Sequence, residues 1–384
     1  MAERGARLLV AGVTTRALAV SAAKAGWAVT AVDAFGDLDL QARAVVLVPP
    51  REARGFDPLA AAALARVVTA DAVAYTSNFE NHPAAVSALA AGRPLLGNPA
   101  AVLDRVRNPF ELVRALRRGS LDAPATRASP PRSGRPGPAR WLLKPRRSGG
   151  GHGTSPWRRG QSVSRQHYLQ ERIEGRAGSA VLLADGRRCM LLGLSRQLVG
   201  LAGFGSRGFR YCGSLMGQGL FPRESALVER ARAVAETVVR EFGLVGLNGI
   251  DFIARGGVPW PIEVNPRYSA SMELFERGAG VPLFDWHAEA CLGRLPTALP
   301  RVPRGVVGKA VVFARRDTRL GTTRHWLRDR ALADIPRSGE RIRRGRPICT
   351  VFASAKDAES CLRALTAKAA TIYRAVETST RGAA

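Results

Sequence analysis

The chain has 384 residues, enough for two or three domains, and its 46% apolar and 23% charged residues are typical of a globular protein. Its formal net charge is +27, carried almost wholly by arginine because only five lysines occur. No apolar run reaches the ~20 residues that a membrane span needs, so an integral membrane protein is excluded. The five cysteines include no CxxC pair, which excludes a disulfide framework or a zinc site and favours a reduced, cytoplasmic protein.

The positive charge makes nucleic-acid binding one function class to consider. The arginines are spread over the whole chain, however, and no helix-turn-helix, zinc-finger or RNP signature is present. An anionic substrate or a nucleotide fits the charge equally well. A nucleic-acid partner is therefore disfavoured.

The first third of the chain alternates short apolar runs with helix-length segments, which predicts βαβ units and a parallel sheet. The first run is followed by AGVTTRAL rather than GxGxxG, so a dinucleotide fingerprint is rejected. We expect strands at 8–10, 28–33, 44–48 and 72–75, and helices at 15–25 and 58–68.

The remainder of the chain predicts a mixed α+β region that begins after a linker. Residues 124–140 are rich in Pro, Arg, Ser and Gly, which indicates a loop leading into a new unit. The tail from residue 305 is predicted to hold strands, Gly/Pro turns and a final helix at 355–376. Between linker and tail we expect strands at 141–145 and 167–173, hairpins joining 180–184 to 189–194 and 249–253 to 260–264, and helices at 224–241 and 284–293.

The second hairpin carries the clearest chemical pattern. Residues two apart in a strand point the same way, so Glu263 and Asn265 project from one face and Asp251 on the partner strand can face them. Magnesium binds oxygen ligands such as these two carboxylates and the amide. Water and nucleotide phosphates usually fill the rest of its coordination shell. Arg267 can lie beside the same phosphates as a planar donor. The alternative is a pair of ordinary hairpin acids neutralised by surface arginines.

Two further segments are compatible with nucleotide binding. Lys144 ends an apolar strand just before the glycine loop 148–153, whose backbone N–H groups could form an anion-binding nest; a flexible linker is the alternative. The loop lacks GK[ST] and is not a Walker A motif. Gln170 and Glu171, in QERIEG, could hydrogen-bond an adenine amino group and a ribose. The alternative is that this segment is a charged strand edge exposed to solvent.

Taken in order, LLKP, SGGGHG, QERIEG, GIDF and IEVNPR resemble the ATP-grasp superfamily of carboxylate–amine ligases. The resemblance implies an N-terminal α/β parallel-sheet domain (1–105), an α+β ATP-grasp fold of two subdomains (106–300, dividing near 165) and a small β-rich C-terminal appendage (301–384). It implies ATP with Mg²⁺ or Mn²⁺ as cofactors. Residue by residue it implies Lys144 and Arg267 as catalytic phosphate-binding groups, Gly149, Gly150, Gly151 and Gly153 as a lid, Gln170, Glu171 and Ile173 as the adenine-side hinge, and Asp251, Glu263 and Asn265 as metal ligands.

One departure concerns the Asp-Lys pair that many members carry before the first helix of the ATP region. Here the corresponding sequence is DRVRNPF, which lacks the lysine. Arg105 and Arg107 are both candidates to replace it. The acid that usually binds the ribose is also not evident after the hinge, where Gly178 and Ser179 stand near its place.

Three segments narrow the resemblance to a subgroup that includes tyramine–glutamate ligase of methanofuran biosynthesis, with relatives in one-carbon pathways. They are TSNFENHP, FRYCGS and RYSASME. This resemblance implies substrate contacts at Glu80, Asn81, Arg210, Tyr211 and Ser269. For Glu80 the alternative is a simple loop cap.

The expected function is ATP-dependent joining of a small carboxylate to an amine through an acyl phosphate, in the cytoplasm and without a membrane partner. A homodimer is among the expected assemblies. Two other function classes stay open at this point. One is a nucleotide-binding regulatory protein without turnover, and the other is a basic nucleic-acid-binding protein.

Overall fold

The computed structural model describes residues 5–50, 55–130, 141–300 and 304–381, with side chains up to residue 377. Most of the expected linker, residues 131–140, therefore lies outside the described residues. No helix in the described part of the chain is long and apolar enough to cross a membrane.

The N-terminal unit is a four-stranded parallel sheet in the order β3-β2-β1-β4. Asp33 at the carboxyl end of β2 accepts hydrogen bonds from the backbone and the hydroxyl of Thr15, just before the first helix. The strand and helix alternation predicted for this unit is confirmed. The elements are β1 (Arg7–Gly12), α1 (Arg16–Lys24), β2 (Ala28–Asp33), α2 (Leu38–Gln41), β3 (Val45–Leu47), α3 (Pro58–Ala65), β4 (Ala72–Tyr75) and α4 (Pro83–Ala90).

A small antiparallel sheet in the order β5-β8-β6-β7 follows two helices. The segment expected to be a loop contains the two-residue strand β5, which pairs with β8 through Thr126 and Gln170. Residues 167–171, grouped by sequence with the second subdomain, thus lie in the first sheet of this region. The elements are α5 (Ala100–Val106), α6 (Pro109–Arg118), β5 (Thr126–Arg127), β6 (Trp141–Pro145), β7 (Ser155–Pro156) and β8 (His167–Glu171).

The largest sheet has eight strands in the order β13-β12-β9-β10-β11-β14-β18-β16. Both predicted hairpins are present as antiparallel pairs, β9 with β10 and β12 with β13. The helix α7 buries one apolar side against this sheet and ends where Gly243 adopts φ +68° and donates to Val239 O. The elements up to residue 291 are β9 (Arg176–Asp185), β10 (Cys189–Val199), β11 (Tyr211–Gly217), α7 (Glu224–Phe242), β12 (Val245–Arg255), β13 (Val258–Asn265), α8 (Ala270–Ala279) and α9 (Phe284–Cys291).

Three of the strands after residue 305 continue this sheet, and the other two pair with each other as a separate two-stranded sheet. β14 pairs with β11, and β18 pairs with β14. The final helix begins at Ala358, after the 347–355 strand and a turn in which Asp357 accepts from Ser360. The elements are β14 (Val306–Phe313), β15 (Thr318–Arg319), β16 (Leu332–Ala333), β17 (Arg341–Ile342), β18 (Pro347–Ala355) and α10 (Ala358–Arg381).

A buried charged cluster joins the three regions of the chain. Arg16 on α1 pairs with Glu273 on α8, and its Nε lies 2.9 Å from Asp334 Oδ1 near the C-terminal strands. Lys309 Nζ on β14 lies 2.7 Å from Glu273 Oε2. Because each buried charge has an opposite partner, the cluster holds the N-terminal sheet, α8 and the C-terminal strands together.

Candidate functional site

The β12–β13 hairpin places the three predicted metal ligands together. Asp251 is the cross-strand partner of Glu263, and Asn265 is the partner of Gly249. Asn265 Nδ2 donates to Asp251 Oδ2 over 3.0 Å. Two acids directly opposite each other repel unless a positive charge lies close to them. The two hairpin carboxylates are therefore stable side by side only if cationic groups lie near them.

The two acids ionise differently. Burial raises the pKa of Asp251, and the charge of Glu263 adds to that rise. Burial also opposes ionisation of Glu263, but the positive charges of Arg107 and Lys144 outweigh it, and its pKa is lowered. Glu263 is therefore held as a carboxylate by cations that come from other elements.

Arg107 supplies the closest of these cations. Its Nη1 lies 2.6 Å from Glu263 Oε1 and also donates to Val264 O, while Nη2 donates to Asn81 Oδ1 and to Ser148 O. Arg105 instead pairs with the partly exposed Glu111 and Glu241. Of the two arginines that the sequence left open, only Arg107 contacts the hairpin.

Lys144 and Gln170 approach the hairpin from the small sheet. Lys144 Nζ donates to Gln170 Oε1 over 3.0 Å and lies 3.5 Å from Ile262 O on β13. Glu171 has a different environment, because its carboxylate accepts from the backbone of Ala125. Ile173 is 7% exposed. The small sheet therefore brings Lys144 and Gln170 to the hairpin, whereas the Glu171 side chain contacts the backbone before β5.

The glycine loop is packed against β11 and held by Arg107. Tyr211 N donates to Gly150 O over 3.0 Å. Gly151 has φ +75°, and a Cβ there would lie 1.9 Å from Phe209 O. Gly153 has φ +73°, and a Cβ there would lie 2.7 Å from Pro145. Glycine is thus required at two loop positions, whereas Gly149 has open space around it.

Arg267 links the hairpin to the N-terminal unit. Its Nη2 lies 2.7 Å from Glu80 Oε1 and donates to Asn265 Oδ1 over 3.3 Å. Glu80 is 1% exposed, and its other oxygen has no hydrogen-bond partner among the described residues. Glu80 and Asn81 therefore contact the arginines of the site, rather than only capping a surface loop.

The other predicted substrate residues divide into two sets. Burial raises the pKa of Tyr211, with the charge of Asp251 adding to the rise, and Ser269 Oγ lies beside Gly249 on the hairpin. Arg210 lies against the C-terminal region, where it donates to Gly345 O and stacks on Phe313, its Cζ 3.8 Å from the ring centroid. The structure thus brings Tyr211 and Ser269 to the hairpin but directs Arg210 to β14.

Sequence reasoning missed polar groups that strands β9 and β10 place under Asp251. The side chains of Ser179 and Gln197 hydrogen-bond Asp251, and Ser195 Oγ lies 2.8 Å from Ser271 Oγ. A usable signal was present, since Ser179 and Ser195 are buried polar residues within otherwise apolar strands. Ser179 lies opposite Asp251 and Ser195 lies opposite Ser179, an arrangement that depends on strand order and that no local pattern encodes.

The hairpin fits a magnesium ion bound together with phosphates. Among the described residues, no group of three or more His, Cys, Asp or Glu side chains gathers as a metal site. Magnesium is often bound by one or two carboxylates, with substrate phosphates and water completing its octahedron. Asp251 and Glu263 provide two such carboxylates, and the Asn265 amide lies beside them.

The family comparison covers the part of the chain that contains the hairpin. Residues 106–271 match the ATP-grasp domain model. An uncharacterised protein of Methanocaldococcus jannaschii is 30% identical over 116 residues, which cover 30% of this chain and 28% of that protein. The chain therefore aligns with well under two thirds of this relative.

Solved structures resemble nearly the whole chain. The biotin carboxylase domain of Hydrogenobacter thermophilus 2-oxoglutarate carboxylase, in complex with MgADP, has a TM-score of 0.69 at 14% identity, covering 94% of this chain and 88% of that one. L-amino acid ligase of Bacillus licheniformis has a TM-score of 0.66 at 15% identity, and the match covers 94% of this chain and 96% of the ligase. Rhizobium etli pyruvate carboxylase has a TM-score of 0.72 at 15% identity. The match covers 94% of this chain but only 36% of the pyruvate carboxylase chain. The chain thus has the ATP-grasp fold, with its ATP-grasp domain match at residues 106–271.

Proposed function

We propose that the protein is an ATP-dependent ligase that joins a small carboxylate to an amine. The observation that carries the proposal is the convergence of Lys144, Arg107 and Arg267 on the hairpin that holds Asp251 and Glu263, beside a glycine loop that Arg107 also contacts. A magnesium or manganese ion held by Asp251, Glu263 and Asn265 would neutralise charge on the ATP phosphates. The MgADP complex of a protein with the same fold supports this assignment.

The residues of this chain position the phosphates. Lys144 offers a donor from the small sheet and Arg267 one from just after β13, and Arg107 contacts both Glu263 and the loop at Ser148. A substrate carboxylate oxygen attacks the γ-phosphorus, the bond to the β-phosphate oxygen breaks and ADP leaves. The amine nitrogen then attacks the carbonyl carbon of the acyl phosphate, loses a proton and displaces phosphate. The glycine loop excludes water from the acyl phosphate.

The narrower part of the proposal concerns the substrates. The resemblance of TSNFENHP, FRYCGS and RYSASME to tyramine–glutamate ligase supports glutamate as the acid, an arylethylamine as the amine, and a role in methanofuran-type biosynthesis. The likeness to an L-amino acid ligase favours an amino acid as one substrate. Glutamate with tyramine is therefore the first pair to assay.

The test is ADP release with saturating magnesium over pairs of amino acids and amines. We expect Asp251→Asn and Glu263→Gln each to abolish release, because each removes one carboxylate charge from the hairpin. Glu359→Gln is the matched control, since Glu359 is 84% exposed on α10, far along the chain from the hairpin. Thermal melting of each variant checks that the fold is retained.

Two results would contradict the proposal. Undiminished turnover in either hairpin variant would remove the metal assignment. A wild-type chain that binds ATP but releases no ADP with any pair would favour a nucleotide-binding regulatory protein instead.

A further inference from the structure

A cavity of about 170 Å³ lies between the N-terminal unit and the ATP-grasp region. Its walls come from the loop after β4, from the α5–α6 junction and from the end of β6. A cavity of about 150 Å³ accommodates benzene, so this one holds roughly six non-hydrogen atoms. Polar and charged lining residues are Glu80, Asn81, Asp104, Arg107, Asn108, and the pair Arg146 and Arg147.

One wall of the cavity carries positive charge without a partner. Neither Arg146 nor Arg147 forms an ion pair within the described residues, and Arg146 Nε is buried with no hydrogen-bond partner there. The Arg146 guanidinium lies 4.9 Å from the centre of the Phe110 ring, which fixes its position at the wall. Buried donors in proteins nearly always have an acceptor, so this wall is suited to an anionic group.

Other parts of the cavity carry negative charge. Asp104 is exposed at the lining and forms no ion pair within the described residues. Glu80 Oε1 pairs with Arg267, while Oε2 is buried and has no hydrogen-bond partner in the described part of the chain. A ligand with a cationic group as well as an anionic group matches these walls better than a simple anion does.

The cavity adjoins the phosphate-binding residues. Arg107 lines it and also pairs with Glu263, and Glu80 lines it and also pairs with Arg267. A molecule in the cavity therefore contacts side chains that themselves touch the hairpin and Arg267. The cavity is thus next to the place proposed for the γ-phosphate, as a substrate of the phosphoryl transfer requires.

We infer that this cavity binds the head group of an α-amino acid, its carboxylate towards Arg146 and Arg147 and its ammonium towards Asp104 and Glu80. The inference rests on the proposed ligase function and specifies one of the two substrates as an amino acid. Because the cavity is open on one side, a side chain longer than that of alanine can extend out of it.

The test compares three probes that differ by one charged group. L-Alanine carries both charges, ethylamine lacks the carboxylate and propionate lacks the ammonium. We expect calorimetric titration of the full chain, saturated with Mg·ADP, to show L-alanine binding at least tenfold more tightly than either analogue. Arg147→Gln and Asp104→Asn should each weaken alanine binding about tenfold. Arg105→Gln is the control, because Arg105 lies on the same connection but does not line the cavity.

Several outcomes would overturn the inference. Propionate binding as tightly as alanine would indicate an anion site, and displacement of alanine by an ATP analogue would make the cavity part of the nucleotide site. Alanine binding unchanged by both cavity variants would place the amino acid elsewhere. Failure of alanine to bind a chain that still binds Mg·ADP and releases ADP with other pairs would reject this site while leaving the ligase proposal intact.

Discussion

Arginine at position 107 does what a lysine there could not do. Its planar guanidinium donates at once to Glu263, Val264, Asn81 and Ser148. A lysine carries all three of its N–H donors on a single nitrogen, so it cannot reach acceptors on three different segments at once. Under the proposed function Arg107 would take the place of the missing lysine, and it also contacts the glycine loop at Ser148.

Glu276 is a buried acid outside the cleft whose ionisation should govern stability near neutral pH. Burial raises its pKa to about 7, although hydrogen bonds from Ser21 and from the backbone of Leu283 oppose the rise. The folded chain therefore holds a proton that the unfolded chain has released above its ordinary pKa of 4.5. The stabilising contribution is complete below pH 4.5 and is lost as the pH rises through 7.

Glu276→Gln should remove this pH dependence. An amide mimics the protonated acid and can still accept from Ser21 and Leu283. We expect the free energy of unfolding of the wild type, relative to the variant, to fall by about 3 kcal/mol between pH 4.5 and pH 8, measured by urea unfolding. A constant difference between the two proteins over this range would show that Glu276 does not titrate there.

The proximity of Asp251, Glu263 and Asn265 could be predicted from sequence because it depends on a short-range rule. Glu263 and Asn265 share a face through the two-residue period of a strand, and Asp251 follows from one turn. Arg107 and Ser179 reach the same point from elements far away in the chain, so their contacts depend on packing. The sequence could therefore offer Arg107 only as one of two candidates and did not indicate Ser179.

At the scale of elements, the glycine loop differs from an ordinary linker. It is held at its first residue by Arg107, which donates to Ser148 O, and near its middle by Tyr211 N, which donates to Gly150 O. Its positive φ angles at Gly150, Gly151 and Gly153 specify one conformation over the cleft. The sequence predicted a loop here but not its docking on β11, since that contact joins segments about 60 residues apart in the chain.

Gly151→Ala should displace the loop from β11. The added Cβ would overlap the Phe209 carbonyl, and φ +75° is itself unfavourable for alanine. We expect the KM for ATP to rise at least tenfold in the ADP-release assay. Gly149→Ala, which meets open space, should leave KM within twofold. Equal effects of both substitutions would argue against a specific docked conformation.

At the scale of the whole molecule, three regions are held together by the cluster around Arg16. Arg16, Glu273, Lys309 and Asp334 come from the N-terminal unit, α8 and the C-terminal strands. The sequence could predict the helices and strands of each region from their own periodicity. The predicted start of the final helix, residue 355, is three residues before its start at Ala358. The sequence could not predict that β14, β18 and β16 extend the main sheet, because strand pairing between distant segments leaves no local pattern.

Arg16→Gln should destabilise the entire chain. It leaves Glu273 and Asp334 buried with fewer positive partners, and breaking a buried ion pair typically costs about 3–5 kcal/mol. Arg7→Gln is the control, because the Arg7–Asp71 pair is about half exposed and its loss should leave the free energy of unfolding nearly unchanged. Similar denaturation midpoints for Arg16→Gln and wild type would contradict the structural importance of the cluster.

The pairing of β14 with β11 has a consequence for how the protein is made. Ribosomes deliver the chain from its amino end, so β11 emerges long before the strand that covers it. Until then the growing polypeptide presents a row of unsatisfied backbone groups that can associate with other nascent chains. Newly synthesised molecules therefore pass through a vulnerable stage that ends only when the last strands arrive, a period in which chaperones would protect them.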